Sequence, residues 1–444
     1  MIAPRDKFLF WTAAIVLPFA LLMAVAPNAI VVSLALIAGL LLIAIADAFG
    51  ARKSLAGIGI ELLPVVRMSK DREGKLELRI RNQRKMKKNL RVGLAWPREI
   101  KVENQELDAL LPARSEWSRL TWPCTPLKRG NYKLQSAHIE TASPLGFWAV
   151  RKTLPAQSEI RVYPNLLGER KNLAALFLNR GAFGWHAQRQ VGKGRDFEKL
   201  REYVPGDGYD EIHWKATARR GKPITKVFQI EKTQEVYVIV DSSRLSARQS
   251  TENTEMNSTL ERYVTAALVL GLAAERQGDL FGLVTFADKV QKFVRAKNGE
   301  AHYNACRDAL YTLEPKIVTP DFDELCAFIR LRLRRRALLI FLTALDDPAI
   351  AENSLRNIEL IRRQHLVLVN MIQPAGVKPL FAGPNVAGID DLYWELGGHL
   401  RWQKLRELQK ILQRRGVQFS LLANERLSAE LVSQYLNVKR RQLL

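Results

Sequence analysis

Phe8-Leu-Phe-Trp-Thr-Ala-Ala-Ile-Val-Leu-Pro-Phe-Ala-Leu-Leu-Met-Ala-Val25 is followed, after Ala26-Pro27-Asn28, by Ala29-Ile-Val-Val-Ser-Leu-Ala-Leu-Ile-Ala-Gly-Leu-Leu-Leu-Ile-Ala-Ile-Ala-Asp-Ala48. No charge interrupts the run from Phe8 to Ala46. A bilayer core takes ~20 apolar residues per helix, so this run is too long for one span. Pro27 and Asn28 favour a turn and divide it. The reading is a transmembrane helical hairpin over residues 1–53, with spans at about 8–25 and 29–48. Pro18 falls inside the first span, which membrane helices tolerate. A signal peptide has a shorter apolar region that ends at a cleavage site, and here a second span follows at once, so neither piece reads as a cleaved signal.

The flanks set an expected orientation. Arg5 and Lys7 precede the first span, Arg52 and Lys53 follow the second, and the connecting loop carries no charge. The positive-inside rule places both termini and everything beyond Ala51 in the cytoplasm. The remaining ~390 residues suit two or three domains. Lys and Arg number 68 against 45 Asp and Glu, a formal net charge of +23. For a tethered chain, the simplest partner of that charge is the anionic inner leaflet of the membrane. No Arg/Gly tract or aromatic RNA-binding signature is present, so nucleic acid is not expected. Cys124, Cys306 and Cys326 are scattered, which excludes a cysteine zinc framework and fits a reducing compartment.

Residues 58–164 alternate with period two, as in Lys75-Leu-Glu-Leu-Arg-Ile-Arg81 and Asn89-Leu-Arg-Val-Gly-Leu-Ala95. Six or seven antiparallel strands with one buried face are expected, forming a small β-sandwich. Residues 165–234 form a connecting segment. It holds Gly192-Lys-Gly-Arg-Asp-Phe-Glu-Lys-Leu-Arg-Glu-Tyr-Val-Pro-Gly-Asp-Gly208 and Ile212-His-Trp-Lys-Ala-Thr-Ala-Arg-Arg-Gly-Lys222. The glycines and Pro205-Gly206-Asp207-Gly208 signal turns, and no phosphate-binding loop fits. One reading packs Phe197, Tyr203 and Trp214 into a domain edge. The other makes a docking surface from Arg195, Asp196, Arg201, Glu202, Asp207, Trp214, Arg219 and Arg220.

From residue 235 to 444 short apolar strands alternate with helical stretches, which predicts a doubly wound, mostly parallel α/β (Rossmann-type) sheet. Ligands in such sheets sit beyond the carboxyl ends of the strands. Those ends carry Asp241-Ser242-Ser243, Thr319-Pro320-Asp321 and Thr343-Ala344-Leu345-Asp346-Asp347. Acids and hydroxyls together are oxygen donors suited to a hard cation such as Mg²⁺.

Asp241-Ser-Ser243 resembles the start of the Asp-x-Ser-x-Ser signature of von Willebrand factor A domains. The resemblance implies a metal site at Asp241, Ser243 and Thr319, but a degenerate one. Leu245 stands where the second Ser belongs and Ala344 where the last Asp belongs, with Asp346 and Asp347 displaced. The alternative is that Asp241 bonds only its own loop. A wider block resembles the domain of unknown function 58 family: Gly194-Arg-Asp-Phe197, Arg201-Glu-Tyr-Val-Pro-Gly-Asp207, Ile212–Gly221 and the Asp241 strand. Upstream, Arg129-Gly130-Asn-Tyr132, Pro144-Leu-Gly-Phe147 and Val162-Tyr-Pro164 fit as well. The resemblance implies a multi-domain protein of a bacterial inner membrane, linked with MoxR-type AAA+ ATPases in assembly, remodelling or stress response. The expected role is an adaptor or scaffold, with a divalent-cation-dependent protein binder as alternative. A metal-assisted hydrolase at Asp241 is the weakest reading: His138, His186, His213, His302, His365 and His399 form no metalloprotease pair, and a Ser without a base is no nucleophile.

Overall fold

The computed structural model describes residues 1–25, 30–169, 191–205, 208–229, 234–248, 258–380, 382 and 389–441. They form two compact units, Met1–Asn165 and Leu166–Leu444.

The first unit opens with strand β1 (Ile2–Pro4) and two helices, α1 (Asp6–Val25) and α2 (Ile30–Ala51). Both helices are long and apolar enough to cross a membrane. Nine strands follow: β2 (Ile58–Leu62), β3 (Val65–Ser69), β4 (Gly74–Asn82), β5 (Lys88–Leu94), β6 (Ile100–Lys101), β7 (Glu106–Leu111), β8 (Trp117–Pro126), β9 (Gly130–Ala142) and β10 (Trp148–Tyr163). Alternation predicts only six or seven, because β2, β3 and β6 are too short to display a period of two. One sheet runs β1-β10-β9-β5-β7, with β3 parallel to β10, and the other runs β2-β4-β8-β6. Inward residues of both, among them Leu78, Ile80, Val92, Trp122, Ile139 and Ile160, fill one core. Each such side chain contributes about 1.5–3 kcal/mol by leaving water.

The turn between β9 and β10 is fastened to both helices. Asp47, buried near the end of α2, accepts hydrogen bonds from Ser143 Oγ at 2.5 Å, Leu145 N at 3.0 Å and Phe147 N at 3.4 Å. Trp148 Nε1 donates to the Ala44 carbonyl at 2.8 Å. From α1, the Phe8 ring lies 5.0 Å from that of Trp148. Gly146 takes a positive φ of 83°, which the tight turn requires and side chains disfavour. The Pro144–Phe147 motif is thus the joint between the two apolar helices and the sheet. A carboxylate held by three neutral donors is replaceable only at a cost of on the order of 2–4 kcal/mol. Asp47→Ala is expected to lower the unfolding temperature of the full chain in detergent, Ser143→Ala to lower it less, and the double variant to show less than the sum. Strictly additive effects would contradict a shared bond.

In the second unit the described residues include strand β11 (Val191–Glu202), helix α3 (Trp214–Arg220) and strand β12 (Ile224–Gln229), with β11 and β12 antiparallel. Gly192 and Gly194 fall within the span of β11 but in an irregularity of its register: Val191 and Asp196 both pair with Gln229, and the residues between them have no partner strand position. Then come β13 (Glu235–Asp241), α4 (Thr259–Arg276), β14 (Leu280–Phe286), β15 (Val290–Lys297), α5 (Glu300–Leu310), α6 (Phe322–Arg332), β16 (Leu338–Leu342), α7 (Pro348–Arg362), β17 (Leu366–Ile372), α8 (Ile389–Arg414), β18 (Gln418–Leu422) and α9 (Leu427–Arg440). The sheet order is β15-β14-β13-β16-β17-β18, parallel except for the edge strand β15. Helices α4, α5 and α9 cover one face and α6, α7 and α8 the other, each over its own apolar core.

Candidate functional site

The strand order reverses between β13 and β16, and in open α/β sheets the crevice at such a reversal is where ligands bind. Asp241 ends β13 there with its side chain fully buried. Its Oδ1 accepts from Ser243 N at 2.8 Å, and its Oδ2 accepts from Thr343 Oγ1, just past β16, at 2.6 Å. Ser243 Oγ accepts from Leu245 N at 3.4 Å, and Ser242 Oγ donates to the Phe286 carbonyl at 2.9 Å. The loop before α6 is drawn in through its backbone: Lys316 N donates to Ser242 O at 2.7 Å and Arg244 N to Val318 O at 3.0 Å. Both carboxylate oxygens of Asp241 are thereby engaged by neighbours within the fold.

Mg²⁺ takes a near-octahedral shell of oxygens, and the side chains that the structure brings together at this strand end are Asp241, Ser243 and Thr343. Leu245 and Ala344, where the resemblance to von Willebrand factor A domains expects oxygen donors, are buried in the core on this side of the sheet. Thr319 is exposed and makes no hydrogen bond among the described residues. Asp346 pairs with Arg248, and Asp347 caps α7 by accepting from Ala349 N at 3.0 Å. Among the described residues no group of three His, Cys, Asp or Glu side chains could hold a metal ion. Thr343, the partner that closes the site, carries the hydroxyl immediately before Ala344. The signal for it was a polar residue at the end of an otherwise apolar strand.

The other candidates gather on the hairpin of β11 and β12. Arg201 and Glu202 end β11, and Glu202 reaches Lys222 at 3.8 Å. The side chains of Arg195 and Asp196 lie outside the described residues, as does Asp207. Helix α3 is held at both ends. His213 Nδ1 accepts from Ala216 N at 3.1 Å, and Gly221 closes it in a left-handed conformation with φ 66°. Thr217 Oγ1 accepts from Ile224 N at 3.0 Å, tying α3 to β12. Trp214, the first residue of α3, is 69 % exposed, so it does not pack into a domain edge. Arg219 and Arg220 are exposed on its last turn, and Tyr209 and Val204 are exposed nearby in sequence. The hairpin therefore carries aromatic and guanidinium groups to solvent, the residue types that dominate binding hot spots.

Residues 199–382 match the model of a family described as protein of unknown function DUF58. The match takes in α3, Asp241 and Thr343. No curated protein matches. Among solved structures, an aerotolerance-related membrane protein from Bacteroides fragilis NCTC 9343 is 16 % identical, covering 46 % of this chain and 98 % of that one, with a TM-score of 0.28. Proximal thread matrix protein 1 from the mussel byssus is 14 % identical, covering 45 % of this chain and 44 % of that one, at 0.25. A CARDB domain from Pyrococcus furiosus is 13 % identical, covering 24 % of this chain and 86 % of that one, at 0.16. At these scores the fold rests on its own strand order and register.

Burial pushes the Asp241 carboxyl above the ordinary carboxylate range, and hydrogen bonds from Thr343 and Ser243 pull it partway back. A raised folded-state value means that the folded protein holds the proton more tightly than the unfolded chain. The contribution is favourable below the unfolded value of about 3.9 and is lost as pH rises through the folded one. Asp241→Asn keeps an acceptor for Ser243 N and a group to meet Thr343, without the buried charge. It is expected to raise the unfolding temperature near neutral pH by a few degrees, on the order of 1 kcal/mol, with the gain shrinking towards pH 4. Excess Mg²⁺ should leave the wild-type transition unchanged. A Mg²⁺-dependent rise that Asp241→Asn abolishes would contradict the closed site.

Proposed function

We propose that the chain is a membrane-anchored, cytosol-facing adaptor whose von Willebrand factor A-like α/β domain presents the α3 hairpin to a MoxR-type AAA+ ATPase. The observation that carries this reading is the exposure of Trp214 beside Arg219 and Arg220, on a helix capped at both ends and tied to β12. A rigid helix loses little entropy when its side chains are covered, which favours binding. The resemblance to the DUF58 family supplies the class of partner, and the two apolar N-terminal helices support the anchor. The flanking charges support the cytosolic side. Chemistry is not part of the proposal, because Asp241 is committed to Thr343 and Ser243 and no base stands beside a nucleophile in the crevice described above.

Affinity capture of the detergent-solubilised full chain, with ATP present, is expected to recover an AAA+ ATPase. Trp214→Ala should weaken that capture by about thirty-fold, the effect of losing an interface hot spot of ~2 kcal/mol. Recovery of the ATPase at undiminished affinity by Trp214→Ala combined with Arg219→Glu places the contact elsewhere. No ATPase in any nucleotide state removes the adaptor reading.

A further inference from the structure

A parallel sheet returns its crossover helices to the amino-terminal edge of its strands. In this unit α6, α7 and α8 all end there, each leading into the next strand. Their ends are unusually basic. Arg330 and Arg332 close α6, and Arg334, Arg335 and Arg336 follow it before β16. Arg362 and Arg363 close α7, and Arg414 and Arg415 close α8. All nine are exposed.

Hydrogen bonds join these turns into one surface. Gln364 Nε2 donates to the Arg334 carbonyl at 2.7 Å, linking the turn after α7 to the turn after α6. Arg362 Nη1 donates to the Arg415 carbonyl, linking α7 to α8. Glu235 meets Arg335 at 3.9 Å and Glu359 meets Arg415 at 3.2 Å, which leaves a large positive excess. Cations at helix C-termini are favourable by about 0.3–1 kcal/mol each through the helix dipole. That accounts for one or two per helix within the last turn, and not for Arg334–Arg336, which lie beyond α6. Three large apolar side chains are exposed among the arginines: Leu331 (76 %), Leu360 and Ile411.

We propose that this amino-terminal edge, formed by the ends of α6, α7 and α8, lies on the surface of an anionic lipid bilayer. The reading rests on the N-terminal hairpin being a membrane anchor and is independent of the ATPase. Guanidinium groups meet lipid phosphates as planar, bidentate donors, and the exposed leucines and isoleucine enter the boundary between headgroups and chains. Apolar side chains on the same face favour a bilayer over nucleic acid, whose phosphate backbone offers them nothing. Roughly five-fold in surface affinity accrues per cation near such a surface.

The test uses the full chain reconstituted into vesicles of phosphatidylcholine, with or without phosphatidylserine, carrying an environment-sensitive fluorophore at Leu331→Cys. The native thiols do not compete: burial pushes Cys124 up to about 11 and Cys306 and Cys326 up to about 12. In phosphatidylserine vesicles the label is expected to shift to the blue and to be shielded from an aqueous quencher several-fold more than in phosphatidylcholine alone. High salt should abolish the difference, because charges are screened within ~3 Å at 1 M. Arg334→Glu with Arg363→Glu and Arg414→Glu should abolish it too, with the circular dichroism unchanged. Equal exposure in both lipids, in chain that floats with the vesicles, overturns the inference and leaves the anchor intact. Shielding by soluble polyglutamate but not by phosphatidylserine overturns it in favour of an acidic protein. Chain that does not float with either vesicle overturns the anchor and this inference together.

Discussion

The parallel run of β13, β14, β16, β17 and β18 is the constraint from which the organisation of the second unit follows. Parallel strands demand crossover helices, and crossovers give the sheet two unlike edges. Helices leave from the carboxyl edge, where Asp241, Thr343, Asp321 and Asp347 collect. They return to the amino edge, where the arginines collect. The helix dipoles favour that distribution, acids at helix starts and cations at helix ends. Asp321 accepts from Asp323 N and Glu324 N at 2.9 and 3.0 Å, so the acid serves the start of α6. The charge polarity of the unit is thus a consequence of strand direction.

At the carboxyl edge, the strand order reverses beside Asp241, which is buried there. Asp241 has the position of a ligand-binding acid but spends both oxygens on Ser243 N and Thr343 Oγ1. Leu245 and Ala344 beside it are buried hydrocarbon. A buried carboxylate satisfied only by neutral donors is tolerated rather than favoured. The arrangement fits a carboxylate whose part is to hold the loops around it in place.

The parts legible in the sequence were those whose physics is local. The two apolar helices declare themselves by length. The strands of the parallel core, Val236–Val240, Leu280–Phe286 and Leu338–Leu342, are buried on both faces and read as unbroken apolar runs. The parts that were not legible depend on distant partners. Strand β11 is rich in glycine and charge and meets β12 through two shifts of register, so no period of two marks it. Strand β15 carries Gln291, Lys292 and Arg295 on an antiparallel edge, so no apolar run marks it. The first turns of α8 hide behind Gly397-Gly398. At the site, Asp241 and Ser243 stood out as the polar end of a strand, but Thr343 lies 102 residues away. Asp47 falls inside the second span as read from the sequence, and Ser143, which fixes it, is 96 residues on.

The chain joins two apolar helices through Asp47 to a β unit, and its α/β unit has a buried, hydrogen-bonded Asp241 and an exposed Trp214 on α3. The central claim is that contact with the partner is made through α3 and not through the crevice. Site-specific photo-crosslinking in living cells tests it most directly, with a photoreactive residue placed at Trp214 in one variant of the full chain and at Arg244, beside the crevice, in another. The account predicts a crosslink to an AAA+ ATPase from position 214 and none from position 244. A crosslink from 244 with none from 214 would contradict it.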